Sequence, residues 1–424
     1  ELFDLTNPNA PIPQFVNALT QAGIEISPEQ VIQGLTYQLI EVPKRDLQTG
    51  EILRETKERA VFVVYNLPPE NFPPEYRNLA GPIPFFIARQ SGNREWSWRK
   101  TKIRDVSLIP FGAMVEKYPE ADKIYGEFLF GTISSTWGET IASKGVEGDY
   151  NYSYEDFQIA YAKRVIDGSN LKSGQFYLNA IIFPQFAPEG FESLSKEKAV
   201  EYLKTYIENT IKYFYQKGIK VFSVVNEPYH LVGNREDVLL KIIGPEYIKI
   251  AFETARNTAP DAILVLSETS NHDNRPWGGA FTKQTRELAQ SLKEEGLVDW
   301  IGVQGHLAYS HQYPYPSIET MVNIFNSYGD VMITELDVNL SAVASPDRYL
   351  FQAEGYRRLI IACLQANSCH AINLWGAFPD SNSWYERGLG QPNADATPWD
   401  DSAKPKVSYY VILNVLYSHL LTNK

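Results

Sequence analysis

Two stretches decide the fold: Val221-Phe222-Ser223-Val224-Val225-Asn226-Glu227-Pro228 and Val331-Met332-Ile333-Thr334-Glu335-Leu336-Asp337. Each is a short apolar run that ends in a carboxylate. Runs that are apolar on both faces read as strands of a parallel sheet covered on both sides. Six more follow the same pattern: Leu108–Val115, Phe128–Ile133, Phe176–Phe183, Ala262–Leu266, Trp300–Val303 and Ala371–Leu374. Amphipathic stretches lie between several of them, such as Lys196–Gln216 and Lys283–Glu295. Eight such runs alternating with helices predict an α/β fold, a (β/α)8 TIM barrel over residues 106–424. In that fold the chemistry sits at the C-terminal ends of the strands, where Glu227 and Glu335 fall.

Residues 1–105 read differently. Val31 to Val42 alternates loosely, Gln48-Thr49-Gly50 is a turn, and Ala60 to Tyr65 is β-branched and aromatic, which predicts a long hairpin. Phe85-Phe86-Ile87-Ala88 and Trp96-Ser97-Trp98 flank a Ser91-Gly92-Asn93 turn and predict a second one. The segment is expected to be a β-rich N-terminal extension. Trp96 and Trp98 alternate, so they share a strand face. Either the segment binds carbohydrate or walls one end of a cleft, or it packs on the outside of the barrel.

The chain has 424 residues and a net charge of −12. That acidic balance argues against nucleic acid or an anionic membrane as partner, since both need clustered Lys and Arg. No apolar run reaches the ~18–20 residues of a membrane span. The start, Glu1-Leu2-Phe3-Asp4, has neither the basic residues nor the apolar stretch of a signal peptide, and it lacks Met, as expected of a mature or trimmed form. The two cysteines, Cys363 and Cys369, fit free thiols or a small disulfide loop equally well. His370 is the only metal-ligand type beside them, so no metal site is expected. Aromatic residues make up 13% of the chain. Their flat faces and polar tips suit a sugar ligand, and they equally suit a core.

A carboxylate directly after a buried strand is costly unless paired or used. Two facing one barrel mouth are what glycoside hydrolysis needs: one protonates the leaving oxygen and the other attacks the anomeric carbon. At this point the chain resembles glycoside hydrolase family ten, the xylanase family of clan A. Three motifs carry the resemblance: Val225-Asn226-Glu227-Pro228, Gly302-Val303-Gln304-Gly305-His306-Leu307 and Ile333-Thr334-Glu335-Leu336-Asp337-Val338. A fourth is Cys363-Leu364-Gln365-Ala366-Asn367-Ser368-Cys369 with Leu374-Trp375-Gly376 and Ser383-Trp384, and the tail Lys404–Tyr410 is similar too. The match covers roughly residues 106–424.

The resemblance implies that Glu227 is the acid/base and Glu335 the nucleophile of a retaining, double-displacement reaction, with carboxyls about 5–5.5 Å apart. Asn226 would hold the sugar 2-hydroxyl and Gln304 would support the site. His306 would hydrogen-bond Glu335 and be oriented by Asp337, a chain that keeps the nucleophile ionised. Glu227 would need a raised pKa to stay protonated near neutral pH. Trp375 and Trp384 would surround the sugar. The cysteine pair would be a disulfide, and no cofactor is required. The implied enzyme is an extracellular, secreted endo-β-1,4-xylanase acting on xylan or a related β-glycan polysaccharide. The alternatives are a clan A β-glycosidase of other specificity and a non-hydrolytic sugar-binding barrel. Phosphate chemistry is disfavoured, because no P-loop or dinucleotide glycine fingerprint is present.

The chain also departs from the family. The usual Asn-Glu-x-x-Lys-Trp after the second strand is Ser134-Ser135-Thr136-Trp137-Gly138-Glu139 here. The His after the third strand is Asn179, and the Trp-His pair is Phe183-Pro184. The Asn-Asp-Tyr-Asn after the fifth strand is Glu268-Thr269-Ser270-Asn271. The changes fall on the glycone side, where Trp137, Asn179, Gln185 and Glu268 either form a remodelled subsite or are loop packing residues.

Overall fold

The structure is a computed structural model and describes residues 3–45, 52–90, 96–118, 120–166, 176–229, 237–308, 315–376 and 384–423. The two hairpin turns expected at 48–50 and 91–93 lie outside the described residues, as does Ser383.

The N-terminal part opens with helix Pro11–Gln21, which the sequence reading did not single out. Pro11 starts it where a missing N–H costs nothing, and Ile12, Phe15 and Leu19 line one buried face. Four antiparallel strands follow: β1 (Leu35–Arg45), β2 (Ile52–Leu67), β3 (Gly81–Gln90) and β4 (Trp96–Lys100), paired in that order. Both expected hairpins are there. One sheet face, with Ile40, Phe62 and Ile87 buried, packs on the C-terminal helix Val407–Thr422. The Phe62 and Tyr417 rings lie 5.0 Å apart, Tyr417 Oη donates to Gln38 Oε1 at 2.6 Å, and Asn414 Nδ2 donates to the Ala80 carbonyl at 3.1 Å. Trp96 and Trp98 stand on the other face and are 38% and 40% exposed. That helix is apolar nearly all round, because the sheet covers the side a barrel helix normally gives to water.

The eight barrel strands are β5 (Phe111–Met114), β6 (Phe130–Ser134), β7 (Phe176–Asn179), β8 (Val221–Asn226), β9 (Ile263–Glu268), β10 (Trp300–Val303), β12 (Val331–Asn339) and β13 (Cys369–Leu374). All eight pairings between neighbours are parallel, and β13 against β5 closes the ring. Phe130, Tyr177, Val221, Val265, Met332 and Ala371, one from each of six strands, form a cluster apart from the main core and plug the barrel interior. Further along the strands the buried residues turn polar: Thr132, Ser223, Ser267, Thr334 and Asn373.

Two local features position the site. After β10, Gly305 at φ +77 lets the chain jog, and a short strand β11 (His306–Ala308) resumes beside β12. That extra partner lets β12 run past its apolar stretch, so Glu335 and Asp337 lie within the strand. The Cys363–Cys369 disulfide ties the end of helix Arg348–Gln365 to the start of β13.

If the N-terminal sheet shares the barrel's core, Phe62→Ala lowers the stability of the whole molecule by about 3–5 kcal/mol. Denaturant unfolding followed by fluorescence and by circular dichroism should then shift as one transition. An early transition that leaves the barrel unaffected would contradict the shared core.

Candidate active site

Glu227 follows β8 in the left-handed region, at φ +53. Its backbone N–H donates to the Ser267 carbonyl at 2.9 Å, which ties the turn to β9. On the carboxyl, Gln304 Nε2 donates to Oε1 at 2.7 Å and Gln185 Nε2 donates to Oε2 at 3.2 Å. The same Gln304 nitrogen reaches Asn226 Oδ1 at 3.1 Å. Desolvation and then the charge of Glu335 push the Glu227 carboxyl up from the ordinary 4.5 to about 7, against the smaller opposing effect of the Gln304 donor.

Glu335 is held differently. His306 Nε2 lies 3.0 Å from Oε2 and Asn179 Nδ2 donates to Oε1 at 2.8 Å. On its other side His306 Nδ1 meets Asp337 Oδ1 at 2.9 Å, and Tyr385 Oη donates to the same oxygen at 2.9 Å. Burial alone would lower the His306 pKa. The adjacent Asp337 and Glu335 charges and hydrogen bonds override it and hold the imidazole at about 10. His306 is therefore a cation at neutral pH, with both ring nitrogens donating. The arrangement gives one carboxyl that keeps its proton and another with a donor on each oxygen.

Both carboxyls line one cavity of about 420 Å³. Its walls include Asn226, Gln304, His306 and Trp375, whose ring meets that of His306 edge-on at 6.4 Å. On the side of β6 and β7 the lining is Ser134, Ser135, Thr136, Asn179, Phe183 and Phe186. A second cavity of about 590 Å³ adjoins at His306 and is lined by His272, Asp273, Arg275 and Tyr315. Among the described residues, no group of three or more His, Cys, Asp or Glu side chains is placed to hold a metal ion.

The residues expected at the site separate into two groups. Glu227, Glu335, Asn226, Gln304, His306, Asp337, Trp375 and Asn179 come together. Trp137 does not: its side chain is fully buried, with Nε1 donating to the Phe183 carbonyl at 2.8 Å and the ring packed on Phe191 and Tyr206. It props the backbone beneath the cavity wall, and no sugar can reach it. Glu268 is 1% exposed behind Thr269, and Gln185 is engaged with Glu227, so Asn179 is the only one of the four expected glycone residues that lines the cavity. Trp384 begins the short helix Trp384–Gly388, and its side chain lies outside the described residues. Sequence reading missed Tyr385, although it follows directly on Ser383-Trp384. It also missed the contact of Asn179 with Glu335, which requires residues 156 positions apart to meet.

Residues 137–415 match the family described as glycosyl hydrolase family 10. Endo-1,4-beta-xylanase C of Phanerodontia chrysosporium is 31% identical over 204 residues, 47% of this chain and 49% of that one, so the chain spans about half the length of this curated relative. Endo-1,4-beta-xylanase A of Humicola insolens is 28% identical over 313 residues, 71% of this chain and 78% of that one. The crystal structure of xylanase 10B from Thermotoga petrophila RKU-1 in complex with xylobiose superposes with a TM-score of 0.62 at 25% identity, over 75% of this chain and 97% of that one. With a match over well more than half its length, the chain belongs to glycosyl hydrolase family 10.

Proposed function

We propose that the chain is a retaining glycoside hydrolase that cleaves β-1,4-xylosidic bonds in xylan. The observation that carries this reading is the pair of carboxyls on one cavity in opposite electrostatic settings. Family membership and the xylanase relatives support the substrate class.

In the first step Glu335 attacks the anomeric carbon while Glu227 delivers its proton to the departing oxygen. A covalent glycosyl-enzyme forms on Glu335. Glu227, now ionised, takes a proton from water, which attacks the same carbon and releases the sugar with its original configuration. His306 and Asn179 hold the Glu335 carboxylate, and His306 is itself held by Asp337. Asn226 stands beside Glu227 to take the 2-hydroxyl, its amide oriented by Gln304. Trp375 offers an apolar face to the ring. On the glycone side, the wall carries short hydroxyl residues and two phenylalanines where the family motifs have Lys, His and Trp. This favours a second reading, a relative with another β-glycan specificity. The Cys363–Cys369 disulfide supports action in an oxidising, extracellular setting.

Glu335→Ala lowers kcat/KM on every substrate by on the order of 10³-fold or more. Glu227→Ala does so on xylan, but far less on an aryl glycoside whose phenol departs unprotonated. An unchanged rate in Glu335→Ala contradicts the assignment, as does an α-anomer as the first product seen by proton NMR. The pH profile of kcat/KM on xylan declines above an apparent pKa near 7, because Glu227 then loses the proton it delivers. That decline is absent for Glu227→Ala on the activated glycoside. Asn179→Ala removes a donor to a charged group, about 1.5–3 kcal/mol, and lowers kcat/KM roughly 10- to 100-fold.

A further inference from the structure

We propose that Glu268 is a positioning residue for the acid/base: its buried carboxyl grips the backbone of the turn that presents Glu227 to the cleft. The proposal rests on the functional reading above and gives a role to a carboxyl that reading does not use.

The turn Asn226–Tyr229 is under unusual constraint. Glu227 sits at φ +53, a region that residues with a Cβ avoid. It also precedes Pro228, and a residue before proline is pushed towards extended conformations. Such a backbone persists only where its surroundings over-determine it. Pro228 has no N–H, so the nearest backbone donors are those of Glu227 and Tyr229. The last two residues of β9 take both of them. The Ser267 carbonyl accepts from Glu227 N–H at 2.9 Å, and Glu268 Oε2 accepts from Tyr229 N–H at 3.0 Å. The first contact uses a backbone carbonyl that any residue supplies. The second depends on the side chain at position 268.

Glu268 is built for this task. Its other oxygen takes the Thr269 N–H at 2.7 Å, so both carboxyl oxygens are bonded to backbone. It is 1% exposed, and the cavity wall in front of it is Thr269. It therefore touches neither the substrate nor the reacting atoms. Its position is one where the chain departs from the family motif. Loss of the grip lets Glu227 relax out of the left-handed conformation and swing its carboxyl away from the leaving oxygen. Glu335, held by His306 and Asn179, is left unchanged.

That difference makes the test specific to proton delivery. The full chain and its Glu268→Ala, Glu268→Gln and Glu268→Asp variants are assayed for kcat/KM on xylotetraose, whose leaving group needs a proton, and on 2,4-dinitrophenyl β-xylobioside, whose leaving group does not. Glu268→Ala is expected to lose 10- to 100-fold on xylotetraose and less than threefold on the aryl glycoside. Glu268→Gln keeps an oxygen for Tyr229 N–H and is expected to recover most of the loss. Glu268→Asp, too short to reach Tyr229, is expected to behave like Glu268→Ala and decides the matter if Glu268→Ala does not fold by circular dichroism. Equal losses on both substrates, no loss on either, or a Gln variant no better than Asp overturn the proposal while leaving the functional reading intact. A wild type inert on both substrates overturns that reading and this proposal with it.

Discussion

Two carboxyl groups line one cavity, and burial together with the charge of Glu335 raises the hold of Glu227 on its proton. The side chains bonded to each carboxyl put the two groups in different settings. Glu335 is flanked by the Asn179 amide and a cationic His306. Among the described residues the donors to Glu227 are the neutral amides of Gln304 and Gln185, so burial and its neighbour's charge keep it protonated up to about 7. Retaining hydrolysis needs an acid that still carries its proton near neutral pH, and the surroundings of Glu227 favour that form.

The barrel makes this separation possible by keeping each group on its own strand. β8 and β9 carry Glu227 and clamp its turn, while β12 carries Glu335 and Asp337. The jog at Gly305 brings Gln304 to the first group and His306 to the second from adjoining positions in the chain. One short segment therefore orients both carboxyls. Below them, buried polar side chains grade into an apolar plug. The N-terminal sheet works at a distance. By covering the last helix, it lets a segment that is apolar nearly all round pack between the sheet and helix Arg348–Gln365.

Much of this was legible in the sequence because each strand is a short apolar run, buried on both faces, with punctuation at its end. The helix Lys196–Gln216 was readable from its amphipathic period to its observed bounds. Glu227, Glu335, His306 and Asp337 could be read because they follow such runs directly or sit in a motif. What could not be read depends on side-chain direction and long-range partners. Trp137 stands in a loop after β6, where sequence cannot tell a ring that faces the cavity from one that points under it. Glu268 ends its strand as Glu227 and Glu335 do, yet it points at backbone amides. β12 outruns its apolar run because a separate short strand supplies a partner. Helix Pro11–Gln21 is amphipathic, but it is short and lies in a segment dominated by strand signals.

The charge of Glu335 helps hold the proton on Glu227. The most direct measurement is a ¹³C NMR titration of the chain labelled at the glutamate carboxyls, for wild type and Glu335→Gln, with Glu227 assigned by its own substitution. Glu227 is expected to titrate near 7 in the wild type. In Glu335→Gln it should titrate lower, yet still above 4.5, because burial persists when the neighbouring charge is gone. A Glu227 that titrates near 4.5 in the wild type, or whose titration does not move when Glu335 is neutralised, would contradict this role of Glu335.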